Sequence, residues 1–511
     1  MTKKPVTKKL VSKLVSAGVF LAVFAGFLAA IHRPYLKLPF HWDEMGQFVP
    51  AALDLYHNGD WVPHSTLPNV HPPAVMALVA LAWRIFGYST PEHSIMVARS
   101  AMLAVAALGA LFSFLLAIRL ARGTVGAPAF AAVLFLLASP LFYTQSMMVL
   151  LDMPAMTLTV LALLLFLKDR WGWCAAVCTL LALTKETAVT TPLVFGVWLY
   201  LRDKKPREAF FFLAPVVALA AWLIVLHRAT GHWLGNAEFA QYNVADALKP
   251  LQILYSVLER ALYLFVKEGR FIGVIALYVG WRLLRGRDWA VTALVAAAQI
   301  LMVTLLGGAV LDRYLLPVLP ILYAAFAIAA SSYPAAWRWT SHTVLIAVLL
   351  LNWVWNPPYP FQYEDNLAMV DFVELQRSAA EFVEFNAPTQ RIASMWPFTG
   401  AIGNPEFGYV EQPLRAVSLQ SFRLPDLAAA DLAAPELANL DRRSFDLLVV
   451  YSRQYPIEGS WLDVAPLDRL LRKLPGYHPQ ATQDELRRGG FFPLARWERH
   501  GQWIEVYAPL R

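Results

Sequence analysis

His71-Pro72-Pro73-Ala74-Val75-Met76-Ala77-Leu78-Val79-Ala80-Leu81-Ala82-Trp83-Arg84-Ile85-Phe86-Gly87 is the stretch on which the reading of the whole chain turns. It is apolar, yet it opens on two prolines, carries Arg84 and is short for a membrane helix, which needs about 20 apolar residues. The other apolar segments are Leu14–Ile31, Ile95–Ile118, Thr124–Phe142, Leu150–Leu167, Trp171–Leu183, Ala188–Leu201, Ala209–Leu226, Leu262–Trp281, Trp289–Gly308, Tyr314–Ala330 and His342–Trp355. Between them lie short basic clusters: Lys3 to Lys13, Arg119/Arg122, Lys168/Arg170, Arg202/Lys204/Lys205/Arg207, Arg282/Arg285/Arg287 and Arg338. Short loops rich in Lys and Arg stay on the cytoplasmic side. Counted from a cytoplasmic N-terminus, every later cluster falls outside if Pro72–Gly87 crosses and inside if it does not. The segment is therefore expected to lie along, or dip into, the outer interface. That predicts a polytopic α-helical membrane protein of about 11 transmembrane helices, N-terminus in and C-terminus out.

Composition supports this. The chain has 511 residues, 58% hydrophobic and 15% charged, with a mean hydropathy of +0.48; soluble domains run at about 45–50% and about 25%. The net charge of +7 sits in the inter-segment clusters, which is the positive-inside pattern and not a nucleic-acid surface. The basic N-terminus resembles a signal peptide, but Leu14–Ile31 is longer than the usual apolar core of one and more spans follow, so it reads as an uncleaved first span. Cys174 and Cys178 lie one helical turn apart in an apolar segment, a spacing for packing and not for a disulfide.

After Trp355 the apolar blocks end and the chain becomes acidic by about five charges. Glu364–Phe385 has the pattern of an amphipathic helix, with Leu367, Val370, Phe372, Val373 and Phe382 on roughly one side. Arg391–Met395, Phe445–Tyr451 and Trp503–Tyr507 read as strands, the last after a His500-Gly501 turn. A small α/β domain outside the membrane is expected.

The same charge arithmetic places five polar constellations on the outer face, where ionisable groups near a bilayer need a reason. His41-Trp42-Asp43-Glu44 offers a carboxylate able to act as general base, although an Asp there could equally cap the helix-like Glu44–Tyr56. His71 before Pro-Pro would face a helix N-terminus, a natural phosphate site, or simply sit in a turn. Asp152 in Leu-Asp-Met-Pro starts a span. Lys185, in Thr184-Lys185-Glu186-Thr187, could hold a phosphate, pair with Glu186 or snorkel. Arg313 has the planar fork suited to phosphate, or could bridge to Asp312 or another rim acid. Together they predict one site with carboxylates, two cations and a histidine. Asp43, Glu44 and Asp152 could also hold a divalent cation, though no ligand spacing demands a metal.

At these residues the chain resembles the lipid-phosphate-sugar-dependent glycosyltransferases of the GT-C fold, especially protein O-mannosyltransferases and the bacterial aminoarabinose transferases that modify lipid A. The resemblance covers roughly residues 10 to 330 and rests on Asp43-Glu44, Gly59-Asp60-Trp61, Pro72-Pro73, the turn at Asp152, the Thr-Lys turn at Lys185 and Arg313-Tyr314-Leu315-Leu316-Pro317. It implies a membrane glycosyltransferase domain over residues 1–355 with a catalytic first outer loop at 32–94, and a soluble extracytoplasmic α/β domain over 356–511. The implied reaction is inverting transfer of a sugar from a polyprenyl-phosphate donor to a protein, lipid or glycan acceptor. Asp43 would be the base, Glu44 and Asp152 would orient hydroxyls, and Lys185, Arg313 and His71 would bind the donor phosphate. Trp42, Tyr314, His232 and Tyr242 would contact substrate, the last two from an outer loop, Thr230–Glu259, that could close over the donor. Aminoarabinose transferases carry a lysine before Pro-Pro; His71 matches the mannosyltransferases instead. The β-trefoil-like insertion of the eukaryotic mannosyltransferases is not present in the sequence. The expected setting is the inner (plasma) membrane of a bacterium, with the active site facing the periplasm or exterior. The competing readings are a lipid-linked glycan ligase or polymerase, a polytopic transporter, and a non-enzymatic envelope protein.

Overall fold

The computed structural model describes residues 4–122, 126–355, 364–419, 441–453, 463–471 and 482–510. Lys3 and Thr124, counted above in a basic cluster and an apolar segment, lie outside the described residues. The chain divides into two compact units, Met1–Leu36 with Ala51–Ile85 and Ala98–Asn352, and Lys37–Pro50 with Phe86–Val97 and Trp353–Arg511.

The first unit is helical. Five helices are long and apolar enough to cross a membrane by length and composition, Val15–Tyr35, Pro91–Leu120, Pro206–Thr230, Arg287–Leu305 and Asp312–Ser332, and shorter apolar helices of 10–17 residues accompany them. This is a multi-pass membrane protein. Leu319–Ala329 is its innermost helix, with all eleven residues buried against Ala127–Ala138 and Phe271–Gly280. Asp152–Leu167, nearly as buried, packs on Trp171–Ala182 and on the 3-10 helix Asp312–Val318. Helices apolar all round belong at a bundle centre, as both are here. Ala74–Phe86 has 13 residues, about 20 Å of helix against the ~30 Å of a hydrocarbon core. It buries Val75, Met76, Val79 and Trp83 and exposes Leu81 and Ile85. Cys174 and Cys178 are free and buried.

Leu262–Trp281 is not one continuous helix. Pro250–Phe265 ends before Lys267, Glu268 adopts a left-handed φ of 55°, and a new helix runs Phe271–Gly280. Inward-facing charges cause the break: Arg270, fully buried, binds Glu268 at 2.6 Å and the carbonyl of Tyr263 at 2.8 Å.

Four of the basic loops meet at one end of this unit. Arg119 lies 2.9 Å from Asp288 and donates to the carbonyl of Leu167 at 2.9 Å. Arg287 lies 2.6 Å from Asp203 and 3.7 Å from Asp169, and Lys205 sits over the Trp171 ring.

In the second unit, five strands, β1 Arg391–Ser394, β2 Arg415–Ser418, β3 Leu447–Tyr451, β4 Phe491–Arg499 and β5 Gln502–Pro509, form one sheet of order β2-β1-β3-β5-β4. β2, β1 and β3 run parallel, whereas β5 is antiparallel to β3 and β4 to β5. His500 and Gly501, at φ 44° and 81°, turn β4 into β5; positive φ at both positions matches the twist of a two-residue hairpin. The helix Ala368–Asn386 buries Met369, Phe372, Val373, Gln376, Ala379, Ala380 and Val383. The expected face was offset: Leu367, Val370 and Phe382 flank the buried stripe instead of filling it.

Candidate active site

Asp152 is the first residue of the helix Asp152–Leu167, and its carboxylate does not cap that helix. It is shared instead by two cations: Oδ1 bonds Lys185 Nζ, and Oδ2 lies 3.5 Å from Arg313 Nε. The three residues come from distant parts of the chain, and each is at most 5% exposed. Lys185 stands in extended backbone, φ −148°, between Trp171–Ala182 and Glu186–Val189. Arg313 sits in the 3-10 helix Asp312–Val318, tightened around Pro317. Tyr314 completes the group, its ring 4.2 Å from Lys185 Nζ and 5.7 Å from the Arg313 guanidinium. Burying charge is costly unless the charges satisfy one another, and here one carboxylate is shared by two cations that both lie near the Tyr314 ring. The Lys185 side chain neither snorkels nor takes its sequence neighbour as partner.

Glu186 faces His71, with Oε2 at 3.0 Å from Nδ1. Burial pushes the Glu186 carboxyl up, but His71 and then Lys185 more than offset this, leaving it below the ordinary carboxylate range. His71 is held by its own N–H donating to Asn69 Oδ1 at 3.0 Å and by the edge of Phe239 at 5.5 Å. Asp312 does not pair with Arg313; it lies 3.7 Å from Lys267, which also bonds Glu259.

The segment 231–249 is docked. Asn236 Nδ2 donates to the Pro68 carbonyl at 2.7 Å, Gly307 N–H donates to the Asn243 carbonyl at 3.0 Å, and Gly308 N–H donates to Asn243 Oδ1 at 3.2 Å. A side chain at Gly308 would overlap Tyr242, and one at Gly307 would reach Tyr314 at 3.6 Å. Tyr242 and Tyr314 therefore flank one glycine pair. His232 stays apart, exposed, with local hydrogen bonds to Thr230.

Asp43 and Glu44 belong to the second unit. Asp43 precedes the π-helical turn Glu44–Phe48 without capping it. Glu44, fully buried, accepts the N–H of His41 at 2.8 Å. Trp42 between them has φ 41°, a left-handed conformation that bulky residues rarely adopt.

Arg260 was not among the expected site residues. It is buried, donates to Val303 and Leu311 carbonyls at 2.7 and 3.4 Å, and lies 5.9 Å from the Tyr314 ring. It is turned into the bundle while Leu251, Leu254, Leu258 and Leu262 of the same helix are exposed, as a charge at membrane depth requires. Among the described residues, no three His, Cys, Asp or Glu side chains converge as a metal site requires. Both oxygens of Asp152 already face cations, the role of a counter-ion.

No protein-family model and no curated protein matches the chain. Solved structures do. The crystal structure of ArnT from Cupriavidus metallidurans bound to undecaprenyl phosphate matches with a TM-score of 0.54 at 14% identity, covering 98% of each chain. Its apo state matches with the same score and identity over 96% of this chain and 98% of that one. The oligosaccharyltransferase AglB from Archaeoglobus fulgidus, in complex with an inhibitory peptide and a dolichol-phosphate, gives 0.46 at 12% identity over 96% of this chain and 74% of its own. The fold is that of ArnT, a GT-C fold, and the likeness runs through the C-terminal domain, beyond the span over which the motifs carried it.

Proposed function

We propose that the protein is a membrane glycosyltransferase that moves a sugar from a polyprenyl-phosphate donor to an acceptor on the outer face of the membrane. The observation that carries this reading is the buried group of Asp152, Lys185, Arg313 and Tyr314. It sits at the opposite end of the helix Asp152–Leu167 from the stitched basic loops. A likeness in fold to an ArnT crystallised with undecaprenyl phosphate supports it.

On this reading eleven helices cross with the basic loops inside, and this end would lie at the outer rim, facing the periplasm in a bacterial inner membrane. There a lipid phosphate can dock with its tail in the bilayer. Asp43 takes the proton of the acceptor hydroxyl or amine as that atom attacks the anomeric carbon. The bond from that carbon to the phosphate oxygen breaks, its electron pair leaves on the phosphate, and the sugar inverts. Lys185 and Arg313 stabilise the charge that develops on the departing phosphate, with Asp152 fixing both cations in place. His71 lies beside the phosphate, kept there by Glu186. Tyr314, Trp42 and Tyr242 contact sugar or acceptor, as does His232 if the 231–249 segment rearranges.

Transfer from defined polyprenyl-phosphate sugars by the purified protein tests the proposal. Asp43→Asn should lower the rate by about 100- to 10,000-fold, the range of a lost general base, at normal membrane abundance. Wild-type transfer by Asp43→Asn would overturn the assignment of the base. Failure of the wild type with every monosaccharide donor, alongside activity on a lipid-diphosphate oligosaccharide, would favour a glycan ligase.

A further inference from the structure

Residues 37–50, which carry Asp43, are built into the same compact unit as the C-terminal domain. Both backbone polar groups of Phe40 are taken by one turn of that domain: its N–H donates to the Phe407 carbonyl at 3.1 Å, and its carbonyl accepts the Tyr409 hydroxyl at 2.8 Å. The turn is itself ordered, with Asn404 Oδ1 accepting the Glu406 N–H at 3.0 Å and Glu406 bonding the Tyr88 hydroxyl. Phe372, on the helix Ala368–Asn386, meets the rings of His41 at 5.5 Å and Trp42 at 6.3 Å. On the far side of Asp43, a Cβ at Gly46 would stand 3.0 Å from the Trp396 ring, so any residue but glycine would crowd it.

Between these anchors Trp42 keeps a left-handed backbone. Such a conformation persists only where the surroundings over-determine it. Here the ring contacts of Phe372 and the Glu44 bond to the His41 N–H do so. The strained residue directly precedes Asp43, so its backbone angles set where the Asp43 carboxylate points.

We propose that the C-terminal domain is the positioning element for Asp43, acting through Tyr409 on Phe40 and through Phe372 on His41 and Trp42. This rests on the reading of Asp43 as the base. Tyr409 and Phe372 touch no reactant; they hold the segment that carries the reacting group.

The test uses the full-length protein, with Tyr409→Phe and Phe372→Leu made separately and each combined with Asp43→Asn. Ser394→Ala, which removes a buried 2.8 Å hydrogen bond to Val449 elsewhere in the sheet, controls for general loss of stability. In the wild-type background, each positioning variant should lower kcat about 10- to 100-fold, as a misplaced catalytic group does, while the donor KM stays within about twofold. In the Asp43→Asn background the same changes should cost nothing further, because residues acting through one group are non-additive. A merely structural role would move KM or lower residual activity equally in both backgrounds, as would be read for Ser394→Ala, and would overturn the proposal. Full kcat in both variants, with Asp43→Asn inactive, would overturn it and leave the base assigned. Full activity in Asp43→Asn would instead remove the reading on which it rests. Should Phe372→Leu fail to fold, Tyr409→Phe, which deletes one oxygen, decides.

Discussion

Lys185 pairs with Asp152, 33 residues earlier in the chain, while Glu186 beside it pairs with His71, 115 residues earlier. Two adjacent side chains of opposite charge thus point to separate partners, and the turn between two apolar helices becomes a junction of two ion pairs.

Removing one member of the first pair should be felt in both stability and rate. Lys185→Met leaves Asp152 with Arg313 alone, and breaking a buried pair typically costs about 3–5 kcal/mol, less where a second cation remains. Transfer should fall at least ~100-fold, as when one preorganised donor to developing charge is lost. The double variant Asp152→Asn/Lys185→Met also takes from the buried Arg313 its carboxylate, so it should lose more Tm than Lys185→Met and recover no rate. Thermal unfolding in detergent and initial rates check both; a wild-type rate in Lys185→Met would count against its place at the phosphate.

The second pair predicts a pH dependence. Glu186 is held below its ordinary value, so the stability it lends is complete above the unfolded-state value of about 4.3 and disappears as pH falls through the folded value. Wild type should therefore exceed Glu186→Gln in Tm at neutral pH, and the gap should close as pH falls below about 4.3. A gap that is constant from pH 7 to 3 would contradict the ion pair.

Gly308 sets how the 231–249 segment sits. Gly308→Val drives a side chain into Tyr242, so the segment should leave its seat. Limited proteolysis within 231–249 should rise severalfold relative to wild type, with lower transfer because Tyr242 is displaced. Equal cleavage of the two proteins would show that the glycine pair does not anchor the segment.

Topology can be read by thiol labelling, since both native cysteines are buried. Cysteines at the exposed positions Asp169, Lys204 and Arg285 should label only in permeabilised cells, and those at Asp60 and Trp233 in intact cells. Labelling of position 169 from outside would invert the orientation. Replacing Arg287 by Ala should cost little, about 0–1 kcal/mol, because its partly exposed ion pairs are screened by solvent.

Much of this was legible in the residues. Apolar blocks and basic clusters located the helices, because a bilayer leaves few alternatives to a helix. The arithmetic on Lys and Arg also grouped Asp152, Lys185 and Arg313, which the folded chain brings together. Hairpin chemistry at His500-Gly501 was equally local. What escaped the reading depended on packing. Arg270 looks like an interruption in an apolar stretch, and Arg260 like part of the loop before it, until the helices turn both inward. Strands β2 and β4 lack a clean alternation of residue type: β2 Arg415–Ser418 has only four residues, mostly exposed, and the nine-residue β4 carries Pro493 at a register shift. The partner of Glu186 could not be guessed either, since proximity in sequence favoured Lys185 and only tertiary structure supplies His71.

The seat of Phe40 on Phe407 and Tyr409 has a practical corollary for anyone exchanging parts among proteins of this fold. A chimera cut at the obvious junction near residue 355 would graft a foreign C-terminal domain beneath a native acid loop whose backbone bonds it cannot match. A graft that travels with residues 37–50 and 86–97 moves the whole compact unit, so five junctions, not one, define the transplantable module.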